Sequence, residues 1–105
     1  MTCVKPKIVT LCGSFRFIDK MQEMAERLEL EKGYVVLNVI SHVLDRDLSE
    51  EEKALLGRLH LEKIAMSDGI FVVNVDGYIG EAVRREIEYA RALGKEIMYL
   101  ESPGE

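Results

Sequence analysis

The chain of 105 residues contains only two cysteines, Cys3 and Cys12, which make no disulfide framework. Cys12 ends an apolar stretch beside a glycine and reads as a reduced core thiol. Basic residues are not in surplus. Fourteen Lys and Arg against nineteen Asp and Glu leave a formal net charge of −5. That excludes a broad nucleic-acid surface, because neutralising phosphates takes clustered cations. It leaves room for one small phosphorylated ligand, which needs only a local site. No window approaches the roughly 20 apolar residues needed to cross a bilayer, so no membrane partner is expected. The apolar run nearest the N-terminus, "IVTLC", is a strand long and follows Lys5 and Lys7, so no secretion signal is visible and the cytoplasm is the expected location. Repeats, linkers and low-complexity stretches are missing too. The chain therefore reads as a single domain over 1–105, with "ESPGE" at 101–105 as a frayed tail.

What is present is an alternation of strands and helices. "KIVTLC", 7–12, is apolar on both faces, as in a strand covered on both sides. Gly13 breaks the run and Ser14 can cap a helix. From Arg16 to about Lys32, Phe17, Met21, Met24, Ala25 and Leu28 recur at helical spacing, and Gly33 stops that helix. "YVVLNVI", 34–40, reads as a second buried strand, and "SHVLDRDL", 41–48, as a mobile loop. "SEEE" at 49–52 fits a capping box for a helix running to about Ser67. That helix is apolar on two sides: Leu55, Leu59 and Met66 on one, Ala54, Leu61, Ala65 and Ile64 on the other. A subunit contact and a tight monomer core both fit this pattern. "GIFVVNV", 69–75, and "EIMYL", 96–100, complete four strands around a last helix closed by Gly94 and Lys95. The pattern predicts an α/β fold: a doubly wound, Rossmann- or flavodoxin-like parallel sheet, order 2-1-3-4, with helices on both faces.

In such a sheet the ligand crevice lies beyond the carboxyl ends of the strands where the order reverses, here between the first and third. "CGSFR", 12–16, and "NVDGYIGEA", 74–82, converge there, and both feed helix N-termini that favour an anion. Gly13 permits close backbone approach, Ser14 offers a hydroxyl, and Arg16 can pair bidentately with phosphate. The same residues also fit a plain turn and cap. No second glycine follows at the spacing of a Walker A or GxGxxG motif. Arg16 stands too close to Cys12 for a cysteine phosphatase. "HLE" at 60–62 offers one His and one carboxylate without a matching cluster, and His42 is distant, so no metal and no cofactor are expected.

The last helix poses a question. With Val83 at zero on a helical wheel, Ile87, Ala90 and Leu93 fall at roughly +40°, −20° and −80° and define a buried stripe. Glu86 falls at about −60°, inside that stripe. A carboxylate there can reach solvent or pair with an arginine such as Arg85. It also stands over the expected crevice, where Gly77, Gly80 and Ala82 leave space beside it. A carboxylate held against a sugar can attack an anomeric carbon or stabilise the positive charge that develops there. Asp68, in "SDGIF", reads as a structural residue where a strand starts.

"CGSFR" before a helix, "HLEKIAMSDGIFVVN", and "GYIG…REIEYARALGK" together resemble the nucleoside 2-deoxyribosyltransferase-like superfamily. Its members include nucleoside deoxyribosyltransferases and 2'-deoxynucleoside 5'-monophosphate N-hydrolases. The resemblance covers nearly the whole chain in motif order. It implies a Rossmann-like fold and cleavage of the bond between a nucleobase and its (deoxy)ribose. It places the family's nucleophilic glutamate on Glu86 and its 5'-phosphate loop on Gly13, Ser14, Phe15 and Arg16. The partner aspartate of the family falls on His60; histidine can donate a proton near neutrality, and the exchange also suits a module that binds nucleotides without chemistry. At "GEAV", 80–83, Ala82 and Val83 replace hydroxyl residues common in relatives, leaving backbone N–H groups and Gly80 for a phosphate. The implied partner is a nucleoside or nucleotide, taken up by hydrolysis or base exchange. Relatives are commonly homo-oligomers, so a homodimer is expected.

Overall fold

The structure is a computed structural model that describes residues 5–38 and 47–103. Four parallel strands form one sheet in the order β2-β1-β3-β4, as the alternation predicts. They are β1 (Ile8–Gly13), β2 (Val35–Leu37), β3 (Gly69–Val73) and β4 (Glu96–Tyr99). Register sets Ile8 against Val35, Leu11 against Phe71, and Ile70 against Ile97. Where Gly69 passes β4, a Cβ would stand 2.8 Å from the Glu96 carbonyl oxygen, so that crossing needs a residue without a side chain.

Strand alternation sends successive side chains to opposite faces, and each face acquires its own core. Val9, Leu11, Phe71 and Val73 pack against Met21, Met24 and Leu28 of α1 (Ile18–Lys32). On the other face Cys12, Ile70 and Val72 meet Ile64 of α2 (Glu50–Met66) and Val83, Ile87 and Ala90 of α3 (Glu81–Ala92). Each such aliphatic side chain, fully buried, contributes about 1.5–3 kcal/mol. Among the described residues, no helix is long and apolar enough to cross a membrane.

Local chemistry sets the helix starts. At α2 the Glu52 N–H donates to Ser49 Oγ at 3.1 Å while the Ser49 N–H donates to the Glu52 carboxylate at 2.9 Å, the reciprocal box that "SEEE" predicts. The C-terminal end of α2 is tied to β1 by buried Thr10. Its hydroxyl donates to the Lys63 carbonyl at 3.0 Å and lies in hydrogen-bond contact with Ser67 Oγ. Asp68 is structural, as expected: its carboxylate accepts the Ile8 N–H at 2.7 Å, and its own N–H donates to the Ile8 carbonyl at 2.8 Å.

Several expectations need correction. The first helix does not begin at Arg16; Phe15–Phe17 form a 3-10 turn before α1. The second strand extends over Val35–Leu37, and as an edge strand it is only partly buried; residues 39–46, with most of the expected loop, lie outside the described ones, as do Cys3 and His42. Leu93 does not complete the buried stripe of α3. The helix ends at Ala92 and Leu93 is 46 % exposed, because the chain turns at Gly94 to start β4. Glu101 is not frayed: its N–H donates to Asn74 Oδ1 and its carbonyl accepts from Asn74 Nδ2, both at 2.9 Å. Its carboxylate also accepts the Asp76 N–H at 2.8 Å. Residues 104–105 lie outside the described ones.

Candidate functional site

The carboxyl end of β1 opens onto a cavity of about 440 Å³, floored by the loop after β1 and walled by α2, Tyr78 and the start of α3. Gly13 leaves β1 there; a Cβ on it would lie 3.1 Å from Met21 Sδ and 3.2 Å from Val73 Cβ, so the turn needs a small residue to stay close to the sheet. Ser14 lines the cavity and its hydroxyl accepts the Arg16 N–H at 3.3 Å, capping the 3-10 turn. Phe15 lines it as well.

On the far side α3 begins at Gly80, with no side chain capping its first N–H groups. Gly80, Glu81, Ala82 and Val83 all face the cavity, so the positive end of the helix dipole opens onto it. Glu86 sits one turn further along, also on the cavity wall, with its side chain 22 % exposed. The carboxylate in the apolar stripe thus faces a cavity that it shares with the Gly13 turn.

Three side chains from three elements meet at this point. Glu86 Oε1 of α3 lies 3.6 Å from His60 Nε2 of α2, and His60 Nε2 lies 3.6 Å from Cys12 Sγ of β1. One ligand-type atom from each falls within 4.8 Å of the others. Burial raises the Cys12 thiol well above the ordinary range, and the adjacent Glu86 carboxylate raises it further. The thiol is therefore protonated at neutral pH and can direct its S–H at the carboxylate. His60 is 7 % exposed, and its Nδ1 is buried without a partner among the described residues.

Against the residues singled out from sequence, the structure brings Gly13, Ser14, Phe15, His60, Gly80, Ala82 and Glu86 to one cavity. Arg16 and Gly77 do not line it. The Arg16 guanidinium stacks 4.2 Å above the ring of Tyr78, which does. Gly77, at φ 79°, closes the tight turn after Asp76, itself at φ 55°. Its role is in the backbone. The expectation that no cluster of metal-type ligands exists is also corrected. It rested on neighbours in sequence, whereas Cys12 and Glu86 reach His60 through the fold.

No family model and no curated protein sequence matches the chain. Solved structures do. One is a 2-deoxyribosyltransferase from the psychrotolerant bacterium Bacillus psychrosaccharolyticus, at TM-score 0.68 and 21 % identity, covering 93 % of this chain and 74 % of that one. The chain has a nucleoside deoxyribosyltransferase-like fold. A conserved protein from Enterococcus faecalis V583 also matches, at TM-score 0.64 and 17 % identity, over 90 % of this chain and 63 % of that one. The chain thus spans about three-quarters of the first relative and under two-thirds of the second.

In this deoxyribosyltransferase-like fold, sequence reasoning missed the α2 wall. Beside His60, which was singled out, Lys53, Leu56, Gly57 and Lys63 line the cavity. They recur at helical spacing, a signal that was available, but their mixed polarity hid it beside the two apolar sides of the helix. It also missed Cys12, which alternation places on the same sheet face as Thr10 and hence toward α2.

Proposed function

We propose that the protein cleaves the N-glycosidic bond of a nucleoside or (deoxy)nucleoside 5'-monophosphate, with Glu86 as nucleophile. The observation that carries this reading is a partly buried carboxylate at the edge of the apolar stripe of α3, facing a cavity large enough for a nucleotide. In the first step a Glu86 oxygen forms a bond to C1' as the bond from C1' to the base nitrogen breaks. The electron pair goes to the base, and His60, when protonated, is placed to supply the proton the base needs to leave. Water or a second base then attacks C1', the bond from C1' to Glu86 breaks with its electron pair returning to the carboxylate, and the proton released by the attacking group goes back to His60. The Cys12 S–H orients the Glu86 carboxylate between turnovers.

The activity of the Bacillus relative supports a nucleoside as substrate. For a 5'-phosphate, the uncapped N-terminus of α3 and the N–H groups beyond Gly13 are the nearest anion site, with Lys53 on the same cavity wall. Arg16 would join them by leaving Tyr78. The exposed Leu55, Leu59 and Met66 of α2 suit a contact between two copies of the chain, and a homodimer would wall the cavity further.

The test is incubation with a panel of nucleosides and their monophosphates, followed by chromatography for free base. Release by wild type, abolished in Glu86→Ala, supports the reading. Tight binding of a nucleotide with no release would instead mark a sensing module, the reading favoured by a histidine lodged beside the carboxylate.

A further inference from the structure

We infer that Cys12, His60 and Glu86 form a site for one divalent ion of borderline softness, of which zinc is the type. The inference stands apart from the proposed glycosidic chemistry, because it needs only the three donors and their spacing. A thiolate, an imidazole nitrogen and a carboxylate oxygen are the set that zinc accepts, and hard ions such as magnesium avoid sulfur.

The spacing of His60 to each of its two neighbours agrees with that coordination. With zinc–sulfur bonds of about 2.3 Å and zinc–nitrogen bonds of about 2.0–2.1 Å at tetrahedral angles, sulfur and nitrogen ligands stand roughly 3.5 Å apart. Cys12 Sγ and His60 Nε2 are 3.6 Å apart, His60 Nε2 and Glu86 Oε1 are 3.6 Å apart, and all three atoms fit within 4.8 Å. Without an ion, His60 Nε2 has a weak hydrogen bond with the Cys12 sulfur and a poor contact with Glu86. A separation of 3.6 Å to a carboxylate oxygen exceeds the roughly 2.7–3.2 Å of a nitrogen–oxygen hydrogen bond. His60 is buried, and its other ring nitrogen has no partner among the described residues. An ion at Nε2 would replace its 3.6 Å contacts with Cys12 and Glu86 by a bond.

The three ligands come from β1, α2 and α3, so they are held by the sheet and not by one another. Three protein ligands leave a fourth position, and the cavity lies beside it, since His60 and Glu86 both line the wall. Binding balances as exchange: the Cys12 S–H gives its proton to solvent, and the thiolate bonds to the ion with no change of oxidation state. An ion held by Glu86 and His60 would occupy both groups that the glycosidic reading requires, so on that reading metal and nucleoside exclude each other.

The test is titration of the metal-free protein with Co²⁺, an optical stand-in for zinc. The expected result is a single equivalent that raises an intense near-ultraviolet band from thiolate-to-cobalt charge transfer, displaced by Zn²⁺. Cys12→Ser should remove the band while Cys3 remains, and His60→Ala should weaken Co²⁺ binding at least tenfold. Circular dichroism establishes that each variant is folded. If Cys12→Ser is not, Cys3→Ser decides the matter: it should keep the band and its one-to-one displacement by Zn²⁺, and loss of the band there overturns the site. Folded wild type that shows no charge-transfer band at millimolar Co²⁺, or a band that survives Cys12→Ser, overturns the site. Because the readout is absorption and not base release, its failure leaves the proposed function standing, and the reverse holds.

Discussion

Asn74 offers a sharp test of how the site is held. It is wholly buried at the end of β3, where the chain turns toward the loop that launches α3. Both its amide atoms are used on the backbone of Glu101, at 2.9 Å each. At about 1 kcal/mol net per hydrogen bond, Asn74→Ala loses roughly 2 kcal/mol, and the space left by the amide raises the loss to about 2–3.5 kcal/mol. For a domain of this size, 1 kcal/mol moves the melting temperature by roughly 4–8 °C, so a fall on the order of 10–20 °C is expected. Calorimetry or thermal circular dichroism reads it directly. Ending the chain at Leu100 removes the partner and should cost a similar amount, and the two changes together should cost far less than their sum. Asn74→Asp keeps the acceptor for the Glu101 N–H but sets a carboxylate against the Glu101 carbonyl. It should be at least as destabilised at neutral pH and recover on acidification as that buried acid takes up a proton. A shift under about 0.5 kcal/mol for Asn74→Ala, or full additivity with the truncation, would refute this account.

Other outcomes follow from the same contacts. Glu86→Gln should lose at least about three orders of magnitude in base release, some 4 kcal/mol of transition-state stabilisation, while its stability changes by less than about 1 kcal/mol. Steady-state kinetics beside a thermal melt checks the split. Arg16→Ala should weaken monophosphate substrates by roughly 1.5–3 kcal/mol and spare nucleosides; equal losses would show that Arg16 serves only Tyr78. The raised Cys12 thiol keeps its proton in the folded, metal-free chain at pH values where the unfolded chain gives it up. Stability from this group is therefore intact below the ordinary thiol range and declines as pH rises above roughly 9, a slope that Cys12→Ser should remove in denaturant titrations.

The periodic parts of the fold were legible from sequence because burial dictates them. Strands covered on both faces must be apolar throughout, and the order 2-1-3-4 follows once right-handed crossovers link them. Glu86 stood out because a carboxylate beside the apolar stripe of Val83, Ile87 and Ala90 breaks that logic, and Gly13 because a strand ends there. What failed to show were features that depend on side chains distant in sequence. Cys12 is apolar enough to pass as core, and only the meeting of β1 with α2 and α3 places its sulfur beside His60 and Glu86. Arg16 shares a motif with Gly13 and Ser14, yet Tyr78, 62 positions further on, takes up its guanidinium. Tail residues read as frayed because nothing near Glu101 signals that Asn74, at the end of another strand, will bind both its backbone groups.

The central claim is that the Glu86 carboxylate bonds to the sugar. Denaturing mass spectrometry of protein quenched within a turnover, on a nucleoside or monophosphate from which base is released, examines it directly. The account predicts a mass increase of one glycosyl unit on the peptide containing Glu86, missing in Glu86→Gln. Release of base at an undiminished rate by Glu86→Gln, or a glycosyl unit carried on any other residue, would contradict it.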